Sequence, residues 1–363
     1  MKNISIWVVV GALLVSVTAG IVVANGGVGS NAKHHKLLIG LSMDTLKEPR
    51  WQVDQKLFVE RATQLGATVK VSSANGDDSV QIRDVNSMIS DGVDVIVIIP
   101  HDGAAMSKAV QSAHAANIPV VAYDRLITNS DLDLYVTFDN VKVGEAQATY
   151  LVNALKGKGK IVRVYGSPTD NNSKLFKQGQ DNVLKPYIDR GDIKVVHEDW
   201  ADNWEPQRAK QIVNAAITNH GHDFQGVLAS ADGVAGGAIQ ALKEEGLMGK
   251  VLVTGQDAEL AAVQRVVDGS QAMTIYKPIR KLATTAAELA VKMANKKALI
   301  TKEGLDNGQS LVPSVFLPII TVDKANMVQT VIADGFQNFD DVYRNVPEAQ
   351  RPARPNVSTT SGS

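Results

Sequence analysis

The 363-residue chain contains no cysteine. No disulfide framework can hold it together, and no lipid can be joined to it through a cysteine, which speaks against a surface lipoprotein. Net charge is nearly absent as well: 37 Lys and Arg against 38 Asp and Glu leave −1. The basic footprint of a nucleic-acid binder is therefore missing, and no nucleic-acid partner is expected. Aromatic residues make up only 5% of the chain, so each of the four tryptophans carries weight. There is no Gly-x-Ser-x-Gly nucleophile turn and no defensible Ser/His/Asp set. Gly157-Lys158-Gly159-Lys160 lacks the preceding strand and trailing Ser/Thr of a phosphate loop and reads as a helix-to-strand turn. His220 and His222 flank Gly221 without a third ligand, as a solvated turn would. A non-enzyme without cofactor or metal is expected.

What is present is a chain of globular composition, 44% hydrophobic and 21% charged, too long for one ordinary domain and comfortable for two. Met1-Lys2-Asn3 precedes an apolar stretch over residues 4–24. Residues 1–24 read as a signal peptide or, because the run approaches the roughly 20 residues that span a bilayer, as an uncleaved membrane anchor. On either reading the body is exported and, without cysteines, is expected in a periplasm. Residues 25–35 read as a Gly-rich linker, and residues 346–363, rich in Pro, Arg, Ser and Thr, as a disordered tail.

Between these ends, strand-like and helix-like segments alternate. Residues 37–41 form a short aliphatic run; residues 51–65 then carry Val53, Leu57, Phe58, Ala62 and Leu65 at helical spacing and stop at Gly66. The β-branched run 93–99 ends at Pro100, and the cycle continues through strands at 118–122, 134–138, 160–165, 226–229, 251–253 and 272–275. Repeated β-α units of this length predict parallel sheets with helices on both faces. About ten strands suit two sheets better than one. The fold class expected is α/β: two doubly wound parallel-sheet lobes joined by a hinge of several crossovers. The first lobe takes residues 36–138 plus about 279–310, the second residues 139–278 plus about 311–345.

The unusual side chains sit where these strands end. Glu48-Pro49-Arg50-Trp51, Tyr123-Asp124-Arg125, Thr169-Asp170-Asn171-Asn172, Asp202-Asn203-Trp204, Gly255-Gln256-Asp257 and Tyr276-Lys277-Pro278 each follow an aliphatic run. The crevice beyond the carboxyl ends of parallel strands is where α/β proteins bind ligands. Each cluster has a plainer reading taken singly: Asp257 could cap a helix, and Asp124-Arg125 could be a surface ion pair. Together, carboxylates, cations, amides and two indoles describe a site for a small, neutral, hydroxyl-rich molecule such as a sugar.

With those clusters in place, the chain resembles the type I periplasmic sugar-binding proteins of ABC transporters, and among them the D-xylose-binding proteins. The resemblance runs from about residue 37 to 336 and is carried by Glu48-Pro49-Arg50-Trp51-Gln52, Ser73-Ala74-Asn75-Gly76, Ala122-Tyr123-Asp124-Arg125, Asp170-Asn171-Asn172, Gly255-Gln256-Asp257-Ala258, Tyr276-Lys277-Pro278-Ile279 and Asn307-Gly308. It implies a monomeric receptor that captures an aldopentose, D-xylose first, by hinge closure and delivers it to a membrane permease. The alternative is a membrane-anchored subunit presenting bound sugar to a histidine kinase or chemoreceptor. It also implies Arg50, Trp51, Asp124, Arg125, Asn172, Trp204, Asp257 and Lys277 as direct sugar contacts. The indoles would cover the C–H faces of the ring, the carboxylates accept from hydroxyls and the cations donate to them. One position departs from the family pattern: Ser230-Ala231-Asp232 has alanine where the family usually has asparagine.

Overall fold

The computed structural model describes residues 36–354. The expected leader, the linker at 25–35 and the last nine residues of the expected tail lie outside the described residues.

The first half of the chain builds β1 (Leu38–Met43), α1 (Pro49–Gln64), β2 (Thr68–Ser73), α2 (Asp78–Ser90), β3 (Val95–Ile99), α3 (Ser107–Ala115), β4 (Val120–Tyr123) and β5 (Leu134–Phe138). These strands pair in parallel in the order β5-β4-β3-β1-β2. Strand β3, Val-Ile-Val-Ile-Ile, is buried along its whole length, as a strand covered on both faces must be. Its alternate side chains divide between two cores. Val95, Val97 and Ile99 face Leu57, Phe58 and Ala62 of α1, while Ile96 and Ile98 face Val85 and Met88 of α2 and Ala109, Val110 and Ala113 of α3. Each such aliphatic side chain contributes about 1.5–3 kcal/mol on leaving water. Helix α1 starts at Pro49, whose missing N–H costs nothing in the first turn, and the chain leaves it through Gly66 at φ 87°.

The second set comprises α4 (Asn140–Ala154), β6 (Gly159–Tyr165), α5 (Asn171–Asp189), β7 (Ile193–Trp200), α6 (Pro206–His220), β8 (Gly226–Ala229), α7 (Asp232–Glu244), β9 (Leu252–Val253), α8 (Leu260–Asp268) and β10 (Thr274–Tyr276). Four of these strands form a parallel sheet in the order β7-β6-β8-β9. Backbone bonds from Ala272 N–H to Val253 C=O (2.8 Å) and from Asp257 N–H to Ile275 C=O (2.7 Å) carry the sheet on to β10. Its cores alternate as in the first lobe: Val162, Val164, Val227, Ala229 and Val253 face α6 and α7, and Ile161 and Leu228 face α4 and α5.

The chain then returns. Helix α9 (Ile279–Ala294) lays Leu282, Ala283, Ala286, Ala287 and Ala290 on the α1 face of the first sheet. Strands β11 (Glu303–Asp306) and β12 (Leu311–Leu317) extend that sheet to seven, β12 parallel to β5 and β11 antiparallel to β12. Strand β13 (Ile320–Val322) then pairs antiparallel with β10. Over the described residues the chain thus passes between lobes three times, after β5, after β10 and after β12.

Two boundaries need correction. Residues 311–317, expected in the second lobe, belong to the first, because β12 finds its ladder on β5. Residues 346–354, expected in the disordered tail, are packed: Val346 is buried against Val342 and Tyr343, its carbonyl accepts from Arg351 Nε at 2.7 Å, and Arg354 pairs with Asp340. Strand β11 has no aliphatic run and carries no sequence signal of its own. Among the described residues no helix is long and apolar enough to cross a membrane.

Candidate functional site

The carboxyl ends of both sheets point at one cavity, the place where α/β proteins bind small molecules. Its walls carry all eight residues expected to meet a ligand: Arg50, Trp51, Asp124 and Arg125 from the first lobe, Asn172, Trp204 and Asp257 from the second, and Lys277 at the second crossover. Glu48, Asp170, Phe176, Ala231, Gly233, Val234, Gln256 and Glu259 complete the wall.

Arg50, on the first turn of α1, is the hub. Its guanidinium reaches Asp54 one turn on (3.3 Å), Asp124 after β4 (2.9 Å) and Asp257 beyond β9 (3.2 Å). Asp257 also receives Lys277 at 2.9 Å. Arg125 pairs with Asp44 at 2.6 Å and with Asp170 of the other lobe at 2.9 Å. All three cations are buried, and each has a carboxylate against it, as buried charge requires. The guanidinium groups of Arg50 and Arg125 lie 4.1 and 5.2 Å from the centroid of the Trp51 ring. The indole packs both cations through its π face.

Asp124 is held in an unusual shape. Its backbone is left-handed, φ 62°, which a non-glycine residue adopts only when its surroundings insist. Three donors pin its carbonyl: Tyr135 Oη (2.8 Å), Thr137 Oγ1 (2.7 Å) and Asn172 Nδ2 (3.1 Å). Asn172 Nδ2 also donates to Asp124 Oδ1 at 3.2 Å, and its own Oδ1 accepts from Asn140 at 2.9 Å. Its amide is therefore oriented by neighbours from both lobes. Trp204 (φ 58°) and Asp257 (φ 98°) share the left-handed region. Strain gathered on three wall residues is the pattern expected at a functional site.

Trp204 sits on a short turn, Asp202–Trp204, before α6. Its ring meets Phe176 edge-on at 6.3 Å, and its Nε1 donates to Asp170 at 3.2 Å. That position exists because residue 166 is glycine: a Cβ there would come within 2.0 Å of the indole.

Burial alone would raise the pKa of Asp124, but Arg50, Lys277 and Arg125 outweigh it and hold the carboxyl below its usual range. Asp170 goes the other way, raised by burial that Arg125 only partly offsets. Glu259 is pushed up to about 8 by burial and by the neighbouring carboxylates Asp232 and Asp257. Asp232 is pushed up to about 7 by burial against the opposing pull of Arg265. The wall thus offers ionised acceptors, fixed cations and one carboxyl that keeps its proton at neutral pH.

Several alternative readings of single residues do not survive. Asp257 caps no helix; α8 is preceded by Glu259, without a side-chain cap. Asp124 and Arg125 are buried and take different partners. Asp170, quoted in a cluster but not singled out, is the N-cap of α5, accepting from Asn172 N–H at 2.9 Å, and also the cross-lobe partner of Arg125. Glu48, Gln256 and Glu259 also line the cavity without being singled out by the sequence. Glu48 and Gln256 belong to strand-end clusters, whereas Glu259 carries no local signal.

The profile of the periplasmic binding protein domain matches residues 39–298. The D-xylose-binding periplasmic protein of Haemophilus influenzae is 50% identical over 315 residues, covering 86% of this chain and 95% of its own. The D-xylose-binding periplasmic protein of Escherichia coli is 47% identical, with 87% and 94% covered. Among solved structures, a carbohydrate transporter solute-binding protein from Chloroflexus aurantiacus in complex with D-glucose superposes with a TM-score of 0.79, at 32% identity, covering 84% of this chain and 98% of that one. With a two-lobed α/β body, a polar cavity at the facing strand ends and relatives of this closeness, the chain belongs to the periplasmic binding protein family.

Proposed function

We propose that this protein is the receptor of a monosaccharide importer, binding D-xylose between its lobes and handing it to an ABC permease. The observation that carries this is the composition of the cavity wall: two indoles, carboxylates and cations from both lobes, already paired with one another. A neutral polyol can insert among paired charges by exchanging hydrogen bonds without stranding a charge. On this reading Trp51 and Trp204 cover the C–H faces of the ring. Asp124 and Asp257 accept from its hydroxyls, and Arg50, Arg125, Lys277 and Asn172 donate. The relatives' specificity supports D-xylose as the first candidate.

Contacts from both lobes favour the closed arrangement, and the three crossovers serve as the hinge. The closed surface is what a permease recognises. The protein works in the periplasm, exported by the apolar stretch over residues 4–24. N-terminal sequencing of the exported protein tells cleavage from anchoring.

Isothermal titration with D-xylose, D-ribose, L-arabinose, D-glucose and D-galactose tests the reading. Tightest binding of D-xylose is the expected result. Binding of none of the five would overturn it.

A further inference from the structure

We propose that Gln256 is a sugar-contacting, specificity-setting residue that supplies beside β9 the amide missing at position 231 beside β8. The inference rests on the sugar-binding reading above and names a contact within that site. Ala231 precedes α7 and offers only a methyl group where the resembled family usually has asparagine. Asp232 N–H donates to the Gln256 carbonyl at 2.9 Å, so residues 231 and 256 stand on adjoining strand ends, and both line the cavity.

Gln256 is 2% exposed, yet among the described residues its side-chain Oε1 has no hydrogen-bond partner. Its neighbours are well served: Asp257 has Arg50 and Lys277, and Asp232 accepts from Gln271 and Thr274. A buried amide oxygen without a partner is costly, and native proteins rarely leave one so. Gln256 belongs to the cavity wall, so a small rotation of its side chain lets the cavity's occupant supply the missing partner. A hydroxyl fits, because the amide accepts through oxygen and, turned over, donates through nitrogen. Alanine at 231 and glutamine at 256 then work as one pair, and discrimination between sugars that differ at the contacted hydroxyl passes through residue 256.

Calorimetry with D-xylose and its monodeoxy analogues tests this on the full exported chain. Gln256→Leu is expected to weaken D-xylose binding about tenfold, as for a hydrogen bond left unmade in a buried site. One deoxy analogue, lacking the contacted hydroxyl, is expected to bind wild type and variant alike. Ala231→Asn alone is expected to give no gain, because the hydroxyl already has its partner. Gln256→Leu binding D-xylose within twofold of wild type would overturn the proposal, as would a gain of tenfold or more in Ala231→Asn. The second variant keeps the test decisive should Gln256→Leu fail to fold. If the unaltered chain binds no sugar, the sugar-binding reading falls first; if it binds D-xylose but Gln256→Leu binds equally, only the role of Gln256 falls.

Discussion

The Nε of Arg125 lies 2.9 Å from Oδ2 of Asp170, an ion pair between buried side chains on opposite lobes. Arg125 also holds Asp44 of its own lobe, whose other oxygen takes Nδ1 of His101 at 2.9 Å. One guanidinium thus fastens two carboxylates across the cavity. Arg125→Met strands both. The variant is expected to lose about 3 kcal/mol of stability, the scale for breaking a buried pair, and most of its sugar affinity. Urea denaturation with and without D-xylose reads both; unchanged stability would refute the clamp.

Gly166 and Trp204 form a second dependent pair. The indole fills the space that a Cβ at 166 would need. Trp204→Ala is expected to weaken sugar binding about 30-fold, the equivalent of the roughly 2 kcal/mol lost with a buried aromatic anchor. Gly166→Ala, at a position outside the cavity wall, is expected to weaken binding comparably by displacing the ring. Titration of the two variants side by side checks this; full affinity in Gly166→Ala would show that the ring position is not critical.

The raised carboxyls set a pH dependence. In the folded chain Glu259 sits at about 8 and Asp232 at about 7, against ordinary values of 4.5 and 3.8. Over that window the unfolded chain has released protons that the folded chain keeps. Their contribution therefore destabilises progressively as pH rises from about 4 to about 8 and levels off above. Glu259→Gln is expected to gain stability over wild type between pH 5 and pH 8, and to match it at pH 4. Denaturation midpoints at these three values decide the matter. Asp124 acts in the opposite sense: its pKa is lowered, so its stabilisation is present at neutral pH and lost on acidification.

Asp257 carries two cations on one oxygen, Arg50 at 3.2 Å and Lys277 at 2.9 Å. Asp257→Asn and Lys277→Met are each expected to weaken D-xylose binding. The double variant should lose less than the sum, with a coupling of about 1 kcal/mol or more. Strict additivity in a double-mutant cycle would mean that the pair acts independently on the ligand.

Much of the protein can be read from its letters. Val95 to Ile99 is aliphatic on both faces and so declares a strand covered on both sides. Leu57, Phe58 and Ala62 fall on one side of a 3.6-residue period. Proline at 49 and glycine at 66 bracket the helix between them. These are local rules, set by side-chain period and backbone freedom, and they place Arg50, Asp124 and Asp257 at strand ends without a structure.

Other facts depend on who meets whom. Residues 311–317 look equally like a strand of either lobe, and only an open edge on β5 assigns them. Asp170 reads as an ordinary helix cap until Arg125 arrives from the other lobe. Gln256 and Glu259 are commonplace as letters; their meaning comes from burial and from partners, present or missing, many residues away. The local pattern determined the elements and the ends that bear chemistry. Burial and charge pairing, which exist only once distant segments pack, decided which of those side chains face one another.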